Sequence, residues 1–348
     1  MKVLFLTLYP EVAASPRYRV HQFLPYLRAH GLDCSVLAPT TEAAWRRHTG
    51  PDREGRAFWY HFHETPRRIR QILSARNYDV VFLQKAVMSA YLRGLDGLLQ
   101  SQSKRLIFDM DDAVHRAPPH PLRFPWSLLE DSGQVRRIMG RADLVLAGNT
   151  WLTDEVTQAG GTAACFPTVV DTERFVPATA SPKDFCAGWM GAPSTSRSLQ
   201  LIAPALEQLA PGELRVAGAD RKEVHWSKAE FATWNYDTEV SLLQSFSVGL
   251  MPLAQDEWTR GKCALKALLY MAVGIPCIAT PYGAVTDMIT HGENGWFAET
   301  PDEWCAALEA LRDPALCARL GAAARATVED RYALHHAAPR LLSLLETR

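Results

Sequence analysis

Short apolar runs and amphipathic segments take turns along nearly the whole chain, and the alternation stops once and then restarts. From the N-terminus it reads KVLFLTL, a helix around Arg19 to His30, CSVLAP, a helix around Arg67 to Arg76, DVVFLQ, a helix, RLIFDM, a helix, DLVLAGN, a helix and AACFPTVV. Runs that are apolar at successive positions are strands buried on both faces, and the helices between them supply the crossovers that parallel neighbours require. The pattern predicts a doubly wound parallel sheet. After DTERFVPATASPKD, a Pro, Ala and Ser rich linker, it resumes with FCAGWMG, a helix Ser196 to Leu209, ELRVAG, a short helix near Glu239 to Phe246, SVGLMP, a helix Lys262 to Val273, PCIAT and helices from Asp302 onward. The expected organisation is therefore α/β: one domain over 1–178, a second over 179–332, and a last helix within 333–348 packing back toward the first. A chain of 348 residues suits two domains of ordinary size. Two such sheets predict a cleft between the carboxyl ends of their strands, where open α/β sheets bind ligands.

Charge narrows the partners. Lys plus Arg number 37 against 38 Asp plus Glu, so no overall field draws the chain to nucleic acid, and its ligand is small or met by a local patch. No apolar run approaches the roughly 18 residues of a membrane span, and MKVLFLTLYP lacks the parts of a signal peptide, which predicts a cytoplasmic protein. The basic run RRIRQILSAR offers a place for peripheral contact with the inner face of a membrane, against the plainer reading of a solvated helix face. Seven scattered cysteines, never spaced C-x-x-C, argue against a disulfide framework and a zinc site, and most read as small core residues.

The strongest chemical signal is GKCALK. Lys262 to Val273 favours a helix that Gly274 and Pro276 end, yet Arg260, Lys262 and Lys266 crowd its first turns, where the helix dipole disfavours cations. Free N–H groups at a helix start form an anion site, and lysines four apart on one face would flank one anion. A diphosphate would make sense of them; otherwise they are solvated charges whose cost is tolerated. A second phosphate-facing loop is GWMGAPSTSRSLQLI, with a turn at Gly191, Ser and Thr suited to capping, and Arg197 near a helix start. The loop after the first strand, YPEVAASPRYRV, carries Arg17 and Arg19 but no glycine. Without G-x-G-x-x-G there, a nicotinamide or flavin oxidoreductase is disfavoured. The arginines either meet acidic ligand groups or cap a surface helix.

Beyond another strand, IFDMDDAVHRAP sets Asp109, Asp111, Asp112 and His115 close together. Adjacent carboxylates repel unless a metal, a base or a hydroxyl-rich ligand relieves them. Contact with a sugar or an acceptor is the favoured reading over a metal, which two or three acids do not specify, and over a turn with Asx caps. PYGAVTDMITHGENGWFAE reads as a loop, a helix and a hairpin, and His61 and His63 in HFH have strand spacing and a structural reading.

Taken in order, DLVLAGNTWL, PTVVDTERFVP, GWMGAPSTSRSL and SVGLMPLAQDEWTRGKCALKALLYMAVGIPCIATPYGAVTDMITHGENGWFAETPDEW resemble the GT-B glycosyltransferases of family 4 (glycosyl transferases group 1). The likeness is to a subgroup in which W-x-x-G-K-C-x-x-K replaces an acidic loop. It implies two Rossmann-like domains facing across a cleft and a retaining enzyme of glycan or glycoconjugate biosynthesis. The donor would be a nucleotide diphosphate sugar, and the acceptor a sugar, a lipid-linked or a small-molecule hydroxyl. No cofactor and no essential metal are implied. By this resemblance Arg197, Lys262, Lys266, Gly191 and the amides of Ala264 and Leu265 serve the donor. Asp111 and Asp112, with Lys262, form the catalytic set, and Arg17, Arg19, Asp109 and His115 lie on the acceptor or sugar side. The family's two glutamates fall at Gly261 and Leu269 here, so a carboxylate must come from Asp256, Glu257 or a first-domain aspartate. That departure keeps two alternatives open: a catalytically silent sugar-nucleotide-binding subunit of a transferase complex, and a GT-B sugar-nucleotide epimerase.

Overall fold

A computed structural model describes residues 1–49, 57–118, 121–122, 124–179, 182–224 and 226–347. The chain divides into two compact units, the first made of Met1–Thr168, Arg260–Cys263 and Ala337–Arg348, the second of Val169–Thr259 and Ala264–His336.

In the first unit, β1 (Lys2–Leu6), β2 (Asp33–Leu37), β3 (Val80–Gln84), β4 (Leu106–Met110), β5 (Leu144–Ala147) and β6 (Ala163–Cys165) form one sheet in the order β2-β1-β3-β4-β5-β6. Every pairing is parallel. Burial on both faces explains the unbroken apolar runs: Val3, Leu4, Phe5 and Leu6 are all fully buried. In the second unit, β7 (Ala187–Met190), β8 (Leu214–Ala217), β9 (Glu230–Ala232), β10 (Val248–Met251), β11 (Cys277–Ala279) and β12 (Trp296–Phe297) take the order β12-β11-β10-β7-β8-β9, again all parallel. Its core gathers Trp189, Leu199, Val216, Leu250, Ile278 and Trp304. Both orders reverse beside their first strand. The switch points of the two sheets therefore lie at the carboxyl ends of β1 and β3, and of β7 and β10.

Several elements differ from expectation. AACFPTVV yields only the three residues of β6, since Pro167 lacks the N–H a ladder needs. The sequence HFH, expected as strand, lies in the helix Ala57–Ser74, where helix formers on either side outweigh a two-residue alternation; His63 is exposed, and the reading of the His61 side chain lies outside what is described. In the same helix Arg68 turns inward, fully buried, to donate to Thr7 O, so the basic run is no uniform charged stripe. The expected hairpin at E-N-G is absent, and Trp296–Phe297 instead pairs parallel with β11. The expected helix Ser196 to Leu209 is a 3₁₀ run Pro193–Ile202 followed by a short α-helix Ala203–Glu207. The helix expected from Lys262 begins only at Leu265 and runs to Ala272.

That helix is fixed to the sheet beneath it by Tyr270. A side chain at Gly249 would collide with the Tyr270 ring, so glycine lets the ring lie flat on β10. The phenol accepts from Met190 N–H at 3.0 Å at the end of β7. The first turn of the helix is thereby held at the second unit's switch point.

Candidate active site

At the first unit's switch point, β3 ends in a strained turn. Ala86 N–H donates to Gln84 O at 3.0 Å, closing a three-residue turn around Lys85, whose φ is 73°. Such γ-turns are rare, and a φ in this range is costly for any residue with a Cβ. Lys85 N–H also donates to Asp109 O at 2.8 Å, which continues the β3–β4 ladder and fixes the turn. The Lys85 ammonium, 7% exposed, pairs with the Asp112 carboxylate and lies 3.8 Å from Asp111 Oδ1. Burial alone would lower its pKa, but Asp111 and Asp112 outweigh that and raise it, so the ammonium stays charged. Asp112 is pushed up by burial, against the opposing pull of Lys85 and, more weakly, of Lys262. The Ser15 hydroxyl donates to Asp111 Oδ2 and accepts from Gln84 Nε2 at 2.6 Å. Tyr9, whose phenol burial pushes up to about 12, stands in the same field.

A second layer secures these groups. Arg19 and Asp109 close on each other, 2% and 0% exposed, and Arg19 also donates to Phe166 O at 2.9 Å. Burial raises Asp109 to about 6 despite the guanidinium. The Cys263 thiol donates to Asp111 O at 3.1 Å, and a side chain at Gly148 would occupy the sulfur's place. Asn149 caps the helix Thr150–Gln158 by accepting from Leu152 N–H, and its Nδ2 donates to Arg260 O and Lys262 O at 3.2 and 3.3 Å. His115 Nε2 lies 2.9 Å from the buried Glu155 carboxylate, which also binds Arg116 at 3.0 Å.

In the second unit, Lys266 is the second residue of its helix. Its ammonium donates to Thr195 Oγ1 at 3.1 Å and sits 4.3 Å from the Trp189 ring centroid. Ala264, the residue before the helix, has φ 53° and ψ 32°, a left-handed cap held by a residue other than glycine. A Cβ at Gly191 would meet Lys266 Cε at 2.9 Å, so the turn after β7 leaves room for the lysine. Among the described residues no three His, Cys, Asp or Glu side chains converge to hold a metal ion, and no helix is long and apolar enough to cross a membrane.

Residues 185–313 match the family described as Glycosyl transferases group 1. The Anabaena protein HepE, solved in complex with UDP-glucose, is similar over 99% of both chains, at 15% identity and a TM-score of 0.73. Sucrose-phosphate synthase from Thermosynechococcus elongatus reaches the same TM-score at 14% identity, over 99% of this chain and 98% of its own. The chain has the GT-B fold. Among curated proteins, N-acetyl-alpha-D-glucosaminyl L-malate synthase of Bacillus anthracis is 33% identical over 86 residues, 24% of this chain. The match spans 22% of that relative's length.

On this GT-B frame the expected residues sort clearly. Asp111, Asp112 and, through its field, Lys262 share the first unit's switch point, while Lys266, Gly191 and Ala264 share the second's. Leu265, half-buried, opens the helix. Lys262 precedes the helix and groups with the first unit, so the pairing of Lys262 with Lys266 on one helical face is corrected. Arg17 and Arg19 lie on the helix Ala14–Arg19 rather than in a loop. Arg19 and Asp109 are core partners with no surface to offer a ligand, because the guanidinium is needed to compensate a fully buried carboxylate. His115, 4% exposed, faces Glu155. Arg197 is 79% exposed and binds Glu223 at 3.1 Å. Asp256 caps the short helix Glu257–Arg260 by accepting from Thr259 N–H at 2.7 Å. Lys85 was not foreseen. A lone lysine after a strand carries no motif; its only sequence signal is its place at the carboxyl end of a strand beside the first.

Proposed function

We propose that the chain is a glycosyltransferase of the group 1 type, moving a sugar from a nucleotide diphosphate sugar to an acceptor hydroxyl with retention. One observation carries the reading: the family match over 185–313 encloses Lys266, whose ammonium stands at a helix start on the switch point of the second sheet. Donor phosphates would meet Lys266 and the N–H dipoles of that helix start, fixed charges and dipoles that need no rearrangement as the leaving group gains charge. The acceptor would be held by the Asp111 and Asp112 side of the first unit. As the bond from the anomeric carbon to the phosphate oxygen breaks, the acceptor oxygen bonds to that carbon on the same face, and the acceptor proton passes to the departing phosphate. The enzyme would work in the cytoplasm on a sugar, lipid-linked or small-molecule acceptor in polysaccharide or glycoconjugate synthesis, with no resident cofactor. Arg197 and Lys262 would contribute at longer range.

Calorimetry with UDP, GDP, dTDP and CMP sugars tests this directly. Lys266→Ala should weaken the best-binding donor by about 1.5 to 3 kcal/mol, the worth of a charge-assisted contact. Absence of any nucleotide-sugar binding would end the reading.

A second reading is favoured by two positions. A Cβ at Gly261 would stand 2.6 Å from Ala113 N, and Leu269 is 3% exposed in the core, so neither place offers a carboxylate. A silent donor-binding subunit would then bind without turnover. Transfer by the purified chain excludes it.

A further inference from the structure

We propose that Lys85 is a positioning residue, holding Asp111 and Asp112 charged and fixed as the pair that receives the acceptor hydroxyl. The acceptor half of this statement rests on the transferase reading; the charge half does not.

Two independent observations meet at this residue. The first is conformational. The φ of 73° at Lys85 suits glycine and strains a lysine. Its side chain therefore has to return more than the turn loses. The second is electrostatic. Two neighbouring carboxylates at the carboxyl edge of a buried sheet repel each other, and without a cation one of them takes up a proton. The other charges facing the pair do not remove that need. Arg19 is taken by Asp109. Lys262 acts on Asp112 more weakly than Lys85 does. Tyr9 and Tyr91 are phenols whose burial keeps them neutral, and Tyr91 donates its proton to Val114 O at 2.5 Å. Lys85 is thus a buried cation in contact with Asp112 and within 4 Å of Asp111.

The turn also reaches the same carboxylate from the other side. Gln84, the residue before Lys85, donates to Ser15, and Ser15 donates to Asp111. One strand end thereby fixes the charge of the pair through its ammonium and the orientation of Asp111 through a hydroxyl relay.

The test separates the turn from the cation. Lys85→Gly suits the backbone and deletes the ammonium, Lys85→Arg keeps a charge, and Lys85→Gly with Asp112→Asn removes both members of the pair. Infrared spectroscopy with isotope-labelled aspartate should show a further protonated carboxyl at neutral pH in Lys85→Gly that the parent protein, Lys85→Arg and the double variant lack. Transfer should fall about 100-fold in kcat in Lys85→Gly, the scale of a misplaced acceptor, while donor affinity stays within about twofold. A folded Lys85→Gly protein with no protonated aspartate beyond the parent's overturns the proposal, and so does one with unchanged kcat. If the parent protein transfers no sugar, the function proposed above fails, and the infrared result still decides whether Lys85 holds the pair charged.

Discussion

His115 shows how burial converts one side chain into a pH-dependent contribution to stability. It is 4% exposed, packed 5.6 Å from the Trp151 ring, and burial lowers its pKa below the ordinary histidine value despite the nearby Glu155 carboxylate. A histidine depressed in the folded state favours folding above its unfolded value of about 6.5, and that contribution is lost as pH falls below it. Urea unfolding of His115→Gln should therefore show a flatter decline of stability from neutral pH downward than the parent protein. Neighbouring residues explain what could be read before folding and what could not. The acids of IFDMDDAVHRAP announced themselves by type and crowding, and Lys266 by its place in a helix start. Lys85 and Ala264 did not, because their importance lies in a positive φ, and no residue type other than glycine advertises one. Lys266 itself answers the problem of a cation at a helix start. Its unfavourable interaction with the dipole, some tenths of a kcal/mol, is offset by the Trp189 ring beneath it.

At the scale of elements, strands were legible because burial on both faces leaves an uninterrupted apolar record, and ten of the observed strands coincide with runs read as such, Asp33–Leu37 starting one residue before its run. Glu230–Ala232, which was missed, and Trp296–Phe297, which was read as part of a hairpin, are the edges of the second sheet, three and two residues long and only partly buried. Helix boundaries were less legible because the group that ties one down can come from far away in sequence. Asn149 is the clearest case: one amide caps its own helix and ties down Arg260 and Lys262, more than a hundred residues later. Asn149→Ala should cost about 0.5 to 2 kcal/mol for the cap alone. Asn149→Asp keeps the capping oxygen and loses the donor. It should retain most of that stability in urea unfolding while hydrogen exchange at residues 260–263 accelerates, and equal protection in both proteins would show the tie to be idle.

For the whole molecule, membership of the two units does not follow chain order. Arg260–Cys263 and Ala337–Arg348 fold with the first unit although the second lies between them and it in sequence. The tail is firmly part of that unit: Leu341 and Leu345 are fully buried, Arg105 donates to Leu344 O and Leu345 O at 2.9 and 2.6 Å, and Arg340 donates to Cys165 O at 2.7 Å. A chain ended at His336 should lose about 2 to 5 kcal/mol for each buried leucine removed. Hydrogen exchange should report the loss at β4 and β5, with β7 and β10 little changed. The amphipathic pattern of the tail was visible in the sequence, but which unit a returning segment joins depends on long-range packing that no local pattern encodes.

The same interleaving sets an order of events during synthesis. A ribosome finishes the described strands of the first sheet by residue 165, yet the last segment of its unit, Ala337–Arg348, emerges only after the whole of the second sheet has been made. The nascent first unit must wait, with the seats of Leu341 and Leu345 unfilled, for nearly half the chain to follow. Exchange of one unit between related genes by a single crossover would meet the same obstacle, since each cut leaves a short piece of one unit in the wrong parent.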